Sequence, residues 1–271
     1  MASSIESPST PGRHIALLID ADNISATKLP LILAELAKYG TANVRRAYGD
    51  WTAPTLKGWT ARLHEYAIRP IQQFNYSKGK NATDIALVID ALELLYTQDL
   101  AAFCIASSDA DFTPLVMHLR AAGKDVYGFG ERKTPEPFVN ACTTFLYLDT
   151  LGSDAAEDTL PTRSADKAAT KSQAVPKSAE KAARSLAMDA KLVTILRGAV
   201  EASAREDGWA PMSAAGSTAK RQAPIDPRNY GVKNFPALFE ATGLFEIIKG
   251  SGGHAFVADR RNLDRAKTPQ S

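Results

Sequence analysis

Five consecutive apolar residues, 15–19 (Ile-Ala-Leu-Leu-Ile), run without a break into Asp20. A run that short and that apolar reads as a strand buried on both faces, the kind found in parallel sheets covered by helices on each side. The pattern then repeats. Residues 27–39 place apolar side chains at helical spacing and stop at Gly40; 43–48 read as a strand, 55–67 as a helix, and 68–74 as an edge strand because Pro70 cannot donate to a ladder. A helix over 83–96 with Thr83 as its N-cap, a strand over 101–107 and a helix over 111–123 closed by a glycine follow. A strand over 125–130, a short helix around 136–142 and a strand over 144–149 complete the series. Strands alternating with helices predict repeated β-α units: an α/β fold with a parallel sheet flanked by helices.

Beyond this segment the composition changes. No aromatic residue occurs from Leu148 to Gly208, and from Gly152 to Ala187 the chain is dominated by Ala, Ser, Thr, Lys, Asp and Glu, too little apolar surface to offset chain entropy. The chain therefore divides into a loose N-terminus (1–12), an α/β domain (13–150), a flexible linker (151–187), a second folded segment (188–260) and a loose tail (261–271). The second segment opens with a helix over 188–203, whose Leu192, Ile195, Leu196 and Val200 share one face. A polar stretch, a second amphipathic helix over 232–242 and two strands around a glycine-rich turn follow, an order that predicts a small winged helix-turn-helix.

Several function classes are excluded early. With 45% hydrophobic and 23% charged residues in 271, the chain is neither wholly disordered nor fibrous. It holds no apolar run long enough to cross a membrane, and residues 1–14 lack the basic-then-apolar order of a secretory signal, so a cytoplasmic location with no membrane partner is expected. Cys104 and Cys142 are too few for a disulfide framework and lack metal-finger spacing; buried apolar roles suit both. A formal net charge of +2 does not by itself announce nucleic acid.

In an open parallel sheet, ligands bind outside the carboxyl ends of the strands. Here those ends are acidic. Asp20 closes the first strand and is followed by Asp22 and Asn23; Asp109 and Asp111 follow the 101–107 strand through Ser107 and Ser108; Asp84 opens the 83–96 helix. If the central strands are neighbours, three or four carboxylates converge, which is unfavourable unless a cation neutralises them, and carboxylate oxygens suit Mg²⁺ or Mn²⁺. Such an ion can activate water and stabilise charge on a phosphodiester under attack. Taken singly, each acid could equally be a turn former or helix cap, and Asp84 and Asp111 could favour helix N-termini through the dipole. Asp90 is different: it interrupts the apolar run of a helix and lies roughly 240° around from Asp84, so it either pairs with a buried cation or reaches the outer shell of the site.

Cations surround these acids. Lys78 and Lys80 precede Asp84, and Arg132 and Lys133 follow the 125–130 strand; each pair could hold phosphate or simply be solvated. Arg45 and Arg46, with Tyr48 and Trp51, could line a groove for a nucleic-acid strand, or be a solvated arginine pair beside core aromatics. From Asp189 onward there are twelve Lys or Arg against nine acids, with Lys220, Arg221, Arg228 and Lys233 clustered before the second helix, where a winged helix meets nucleic acid. A solvated face is the alternative.

At these residues the chain resembles a known family. LLIDADNI at 17–24, KGKNATDIALVIDAL at 78–92, SSDADFTPLV at 107–116 and YGFGERKTP at 127–135 resemble the NYN domain, a PIN-like nuclease fold of the LabA-like kind. The resemblance implies that Asp20, Asp84, Asp109 and Asp111 are metal-site and catalytic acids, with Asn23 their polar partner. Ser107 and Ser108 stand where the family more usually shows Ser-Gly. YGVKNFPALFEATGLFEI at 230–247 is similar to the OST-HTH or LOTUS domain, a winged-helix module of RNA-associated proteins. Pairings of the two are commonly bacterial and inferred to act on RNA.

The expectation is a metal-dependent endoribonuclease with a C-terminal RNA-binding module. A non-catalytic RNA-binding adaptor is the competing reading. Asp20-Ala21-Asp22 also matches, superficially, the Asp-x-Asp of aspartyl-nucleophile phosphatases, although a helix starts here where that class inserts a flap. A symmetric homodimer is open, with no residue arguing for it.

Overall fold

The computed structural model describes residues 12–74, 81–151, 186–250 and 254–265, which form two compact units divided after Leu151. The stretches expected to be a loose N-terminus and a linker lie almost wholly outside the described residues.

The first unit is a six-stranded, all-parallel sheet in the order β3-β2-β1-β4-β5-β6. Its strands are β1 (His14–Asp20), β2 (Thr41–Gly49), β3 (Arg69–Gln72), β4 (Ala102–Ala106), β5 (Asp125–Gly130) and β6 (Thr144–Tyr147). The helices are α1 (Leu29–Leu36), α2 (Trp59–Glu65), α3 (Ala82–Thr97), α4 (Thr113–Ala121) and α5 (Glu136–Ala141). Alternation along β1 explains why both faces need covering. Ile15, Leu17 and Ile19 join Leu29, Ile32 and Leu36 of α1 and Trp59 of α2 in one core. Ala16 and Leu18 join Leu87, Ala91 and Leu94 of α3, Leu115, Val116 and Leu119 of α4 and Phe138 of α5 in the other. A Leu18→Ala change would open a cavity under α3 and cost about 2–5 kcal/mol.

Pro70 lies on β3 at the sheet edge, as its missing N–H requires. The connections wind outward from β1 to β3, return to β4 beside β1, and wind outward again to β6. Strand order therefore reverses between β1 and β4, which places the crevice of the sheet at their carboxyl ends. Thr83 does not cap α3: the N-cap position is Asn81, without a side-chain cap bond, and Thr83 is buried with its hydroxyl turned to Asp22.

The second unit contains α6 (Ala190–Ser203), β7 (Ala210–Pro211), α7 (Met212–Gln222), α8 (Phe235–Thr242), β8 (Phe245–Lys249) and β9 (Ala255–Asp259). Its strands form an antiparallel sheet in the order β7-β9-β8, and three helices beside a terminal hairpin make the winged-helix arrangement. Asp189 caps α6 through the Leu192 N–H at 3.0 Å, and Asn234 caps α8 through the Ala237 N–H at 3.0 Å. Helix α7 occupies what the sequence presents as a polar stretch. Its buried stripe is Met212, Ala215, Gly216 and Ala219, helical spacing carried by residues too small to register as apolar amplitude. The chain ends its described course in a 3₁₀ helix, Arg260–Arg265, inside the stretch where the composition predicts a loose tail. No helix among the described residues is long and apolar enough to cross a membrane.

Candidate functional site

The reversal point between β1 and β4 gathers the acids. Asp20, the last residue of β1, is 1% exposed. Its carboxylate accepts from Asn23 Nδ2 at 2.6 Å, Ser107 Oγ at 2.8 Å, and the backbone N–H groups of Asp22 and Asn23 at 3.2 and 3.3 Å. Burial raises its pKa, and the bonds from Asn23 and Ser107 offset only part of that rise. Asn23 thus stands beside Asp20, where the sequence placed it. Ser107, fully buried at the end of β4, ties the two central strands together. Its hydroxyl donates to Asp20 and accepts the Asp109 N–H at 3.1 Å. Ser108 reaches the next strand by accepting the Glu131 N–H at 2.9 Å. Gly130, which ends β5, is required by this crowding: a Cβ there would lie 2.7 Å from the Ser107 carbonyl oxygen.

Asp84, in the first turn of α3, faces the same crevice. Its pKa is pushed up to about 6, first by burial and then by the charges of Asp20, Asp109, Asp111 and Asp22. One carboxyl therefore senses acids from two other segments. Asp22 is also raised, by burial and by Asp50, while Thr83 Oγ1 donates to it at 3.3 Å. Asp109 accepts the Asp111 N–H at 2.8 Å, and Asp111 accepts from Asn81 Nδ2 at 3.2 Å.

The acids share one electrostatic neighbourhood but are not a ready-made cage. Among the described residues no three Asp, Glu, His or Cys side chains are close enough together to hold one ion. The expected convergence of three or four carboxylates at ligand distance is thus corrected to a looser ring, with Asp20 turned onto its own loop. By donor type the ring still fits a hard divalent ion. Magnesium keeps several waters and needs only one or two direct carboxylates, and Asp20, Asp84, Asp109 and Asp111 could supply these directly or through water.

The expected cations are distributed differently. Lys78 and Lys80 lie outside the described residues. Arg45 donates to the carbonyls of Ala42 at 3.0 Å and Tyr66 at 3.1 Å, which fixes it to the α2 side of the sheet. Arg46 pairs with Asp90, which also accepts from the Tyr48 hydroxyl. Asp90 is therefore the partner of a part-buried cation rather than a neighbour of the ring. Arg46 pairs in register with Leu18, two residues short of the mouth. Arg132 lies at the mouth with its guanidinium 5.6 Å from the Tyr147 ring centroid, and Lys133 pairs with Glu131 at 2.9 Å. In the second unit, Arg228 is committed to Asp226 by bonds at 2.8 Å, and Arg221 donates to Thr218 Oγ1 at 2.8 Å. Lys233 is exposed, and Lys220 sits 5.7 Å from the Phe235 ring centroid.

Sequence reasoning missed Thr83 and the bridging role of Ser107. For Ser107 the signal was its place at the end of a central strand. For Thr83 there was none, because helix rotation decides where its hydroxyl points.

A family model described as NYN domain matches residues 14–149, and one described as OST-HTH/LOTUS domain matches residues 184–257. No curated protein matches the chain. Among solved structures, a protein of unknown function from Vibrio parahaemolyticus is similar. It is 18% identical, covers 52% of this chain and 96% of its own, and gives a TM-score of 0.44.

Proposed function

Since the chain belongs to the NYN-domain family, a family of PIN-like nuclease fold, we propose that it is a metal-dependent endoribonuclease, with the OST-HTH/LOTUS unit holding the RNA. The observation that carries this reading is the ring of acids from β1, α3 and the loop after β4, meeting where strand order reverses. Burial, and then repulsion within that ring, lift Asp84 to about 6, and a bound cation would relieve the repulsion.

Mg²⁺ or Mn²⁺ would be held by Asp20, Asp84, Asp109 and Asp111, and when bound would supply Lewis acidity and a more acidic water. The chain's own contribution is positioning. Asn23 and Ser107 hold Asp20 in one orientation. Asp84, from the first turn of α3, brings a carboxylate of another segment to the same site. Arg132, and Lys78 and Lys80 from the sequence before α3, would hold flanking phosphates. The reading places the protein in the cytoplasm.

The adaptor reading draws on one feature: the Asp20 carboxylate already accepts four bonds from its surroundings, which suits a structural role. Incubation of the full chain with a labelled single-stranded RNA, with and without Mn²⁺, separates the two. An endoribonuclease gives Mn²⁺-dependent internal cuts that disappear in Asp20→Asn. An adaptor retains the RNA in a gel shift and leaves it intact under both conditions.

A further inference from the structure

The winged-helix unit carries a cleft of about 990 Å³, at the upper end of the roughly 300–1,000 Å³ that small organic ligands occupy. It lies between the start of α7, the start of α8 and strand β9, and Phe235 and Phe256 are its aromatic walls. Each ring has a cation against it: Lys220 Nζ is 5.7 Å from the Phe235 centroid, and the Arg205 guanidinium is 5.3 Å from that of Phe256. Among the described residues no acid lines the cleft and neither cation forms an ion pair, Lys220 acting only at longer range on the Asp226 carboxylate. Gly216 keeps the Phe235 wall close. A Cβ there would lie 3.2 Å from the ring, so the ring packs directly on the helix.

Flat apolar walls with positive charge at both select a ligand that is aromatic and anionic at once. Ser213 and Ser217, one turn apart on α7, add hydroxyls along one side. An unpaired nucleotide has this chemistry: a base to stack on phenylalanine and a phosphate for each cation. A duplex keeps its bases stacked on each other and cannot insert one cheaply. We infer that this cleft takes an unpaired base of single-stranded RNA, stacked on Phe235 and Phe256, with its flanking phosphates on Lys220 and Arg205. The inference rests on the reading that the C-terminal unit holds RNA, and it names the part of the unit that does so.

Fluorescence anisotropy of the full chain in EDTA, where no cutting occurs, reads this directly with a labelled single-stranded oligoadenylate and its matched duplex. Single strand should bind at least about 10-fold tighter than duplex. Phe235→Leu keeps apolar volume but removes the ring, and should weaken single-strand binding about 10-fold. Arg205→Ala combined with Lys220→Ala, both at exposed positions, should lower the slope of log affinity against log salt by about 1.4, a change that loss of packing would not give. Single-strand binding unaltered by both cleft variants, at unchanged melting temperature, overturns the cleft while leaving the C-terminal unit as an RNA holder. No RNA binding by the parent chain overturns both readings, and leaves the cleft to an aromatic, acidic peptide segment.

Discussion

The two units treat their acids in opposite ways. At the mouth of the parallel sheet, Asp20, Asp22 and Asp84 are all raised, by burial and then in part by one another, and no Arg or Lys is paired with them among the described residues. In the winged-helix unit burial also works against Asp226 and Asp259. Arg228 outweighs it at Asp226, and Arg261 with Arg197 at Asp259, so both fall below the usual carboxylate range. Acids that are paired secure a small fold. Acids that are left to repel do nothing for stability, which is why the proposed metal site is assigned to them. The cations invert this pattern, since Lys220 and Arg205 rest on rings while Arg228 and Arg261 are spent on carboxylates.

The largest consequence is for activity. Asp84→Asn should reduce metal-dependent RNA cleavage about 1,000-fold, the scale of losing several kcal/mol of charge stabilisation, while leaving RNA retention intact. Cleavage assays on the full chain, with a gel shift in parallel, check it; an active Asp84→Asn protein would break the contrast. Next is Asp226→Ala, which removes the buried carboxylate that Arg228 holds at 2.8 Å and should lower the stability of the second unit by about 3 kcal/mol in denaturant unfolding. Cleavage of short RNA should survive that change.

Third, Asp84→Asn should stabilise the metal-free protein, by about 1 kcal/mol at pH 7 once solvent screening is allowed for. The sign follows from the raised pKa. The folded protein holds the Asp84 proton more tightly than the unfolded chain, so ionisation is a penalty complete above about pH 6 and absent below about pH 4. Thermal melts in EDTA should therefore show the advantage of Asp84→Asn shrinking as pH falls from 7 to 4. An advantage that grew instead would mean Asp84 is paired. The smallest effect belongs to Lys133→Ala. Its pair with Glu131 is exposed, at 71% and 45%, and its loss should move the melt by less than about 0.5 kcal/mol.

What the sequence shows of this divides along the same lines. The order of strands and helices follows from apolar period, and β1 and β5 run as the sequence predicts because apolar runs bounded by turns define them. The mouth acids were legible because each sits where a strand ends or a helix begins, and a parallel sheet brings such positions to one edge. Arg46 was not, because the register of β2 on β1 and the rotation of α3 are what deliver it to Asp90. The openness of the ring was not legible either: adjacency follows from topology, but ligand distance depends on rotamers, and Ser107 and Asn23 draw Asp20 onto its loop. Helix α7 stayed hidden because Ala215, Gly216 and Ala219 bury a face without apolar bulk.

The claim on which the rest stands is that acids from three segments form one coupled site whose repulsion a divalent ion relieves. Titration of the metal-free full chain with Mn²⁺, followed by the loss of the free-ion electron paramagnetic resonance signal, tests it most directly. Wild type should take up Mn²⁺, and Asp20→Asn and Asp84→Asn should each weaken uptake at least about 10-fold. Uptake of equal strength in all three proteins, or none in wild type, would contradict it.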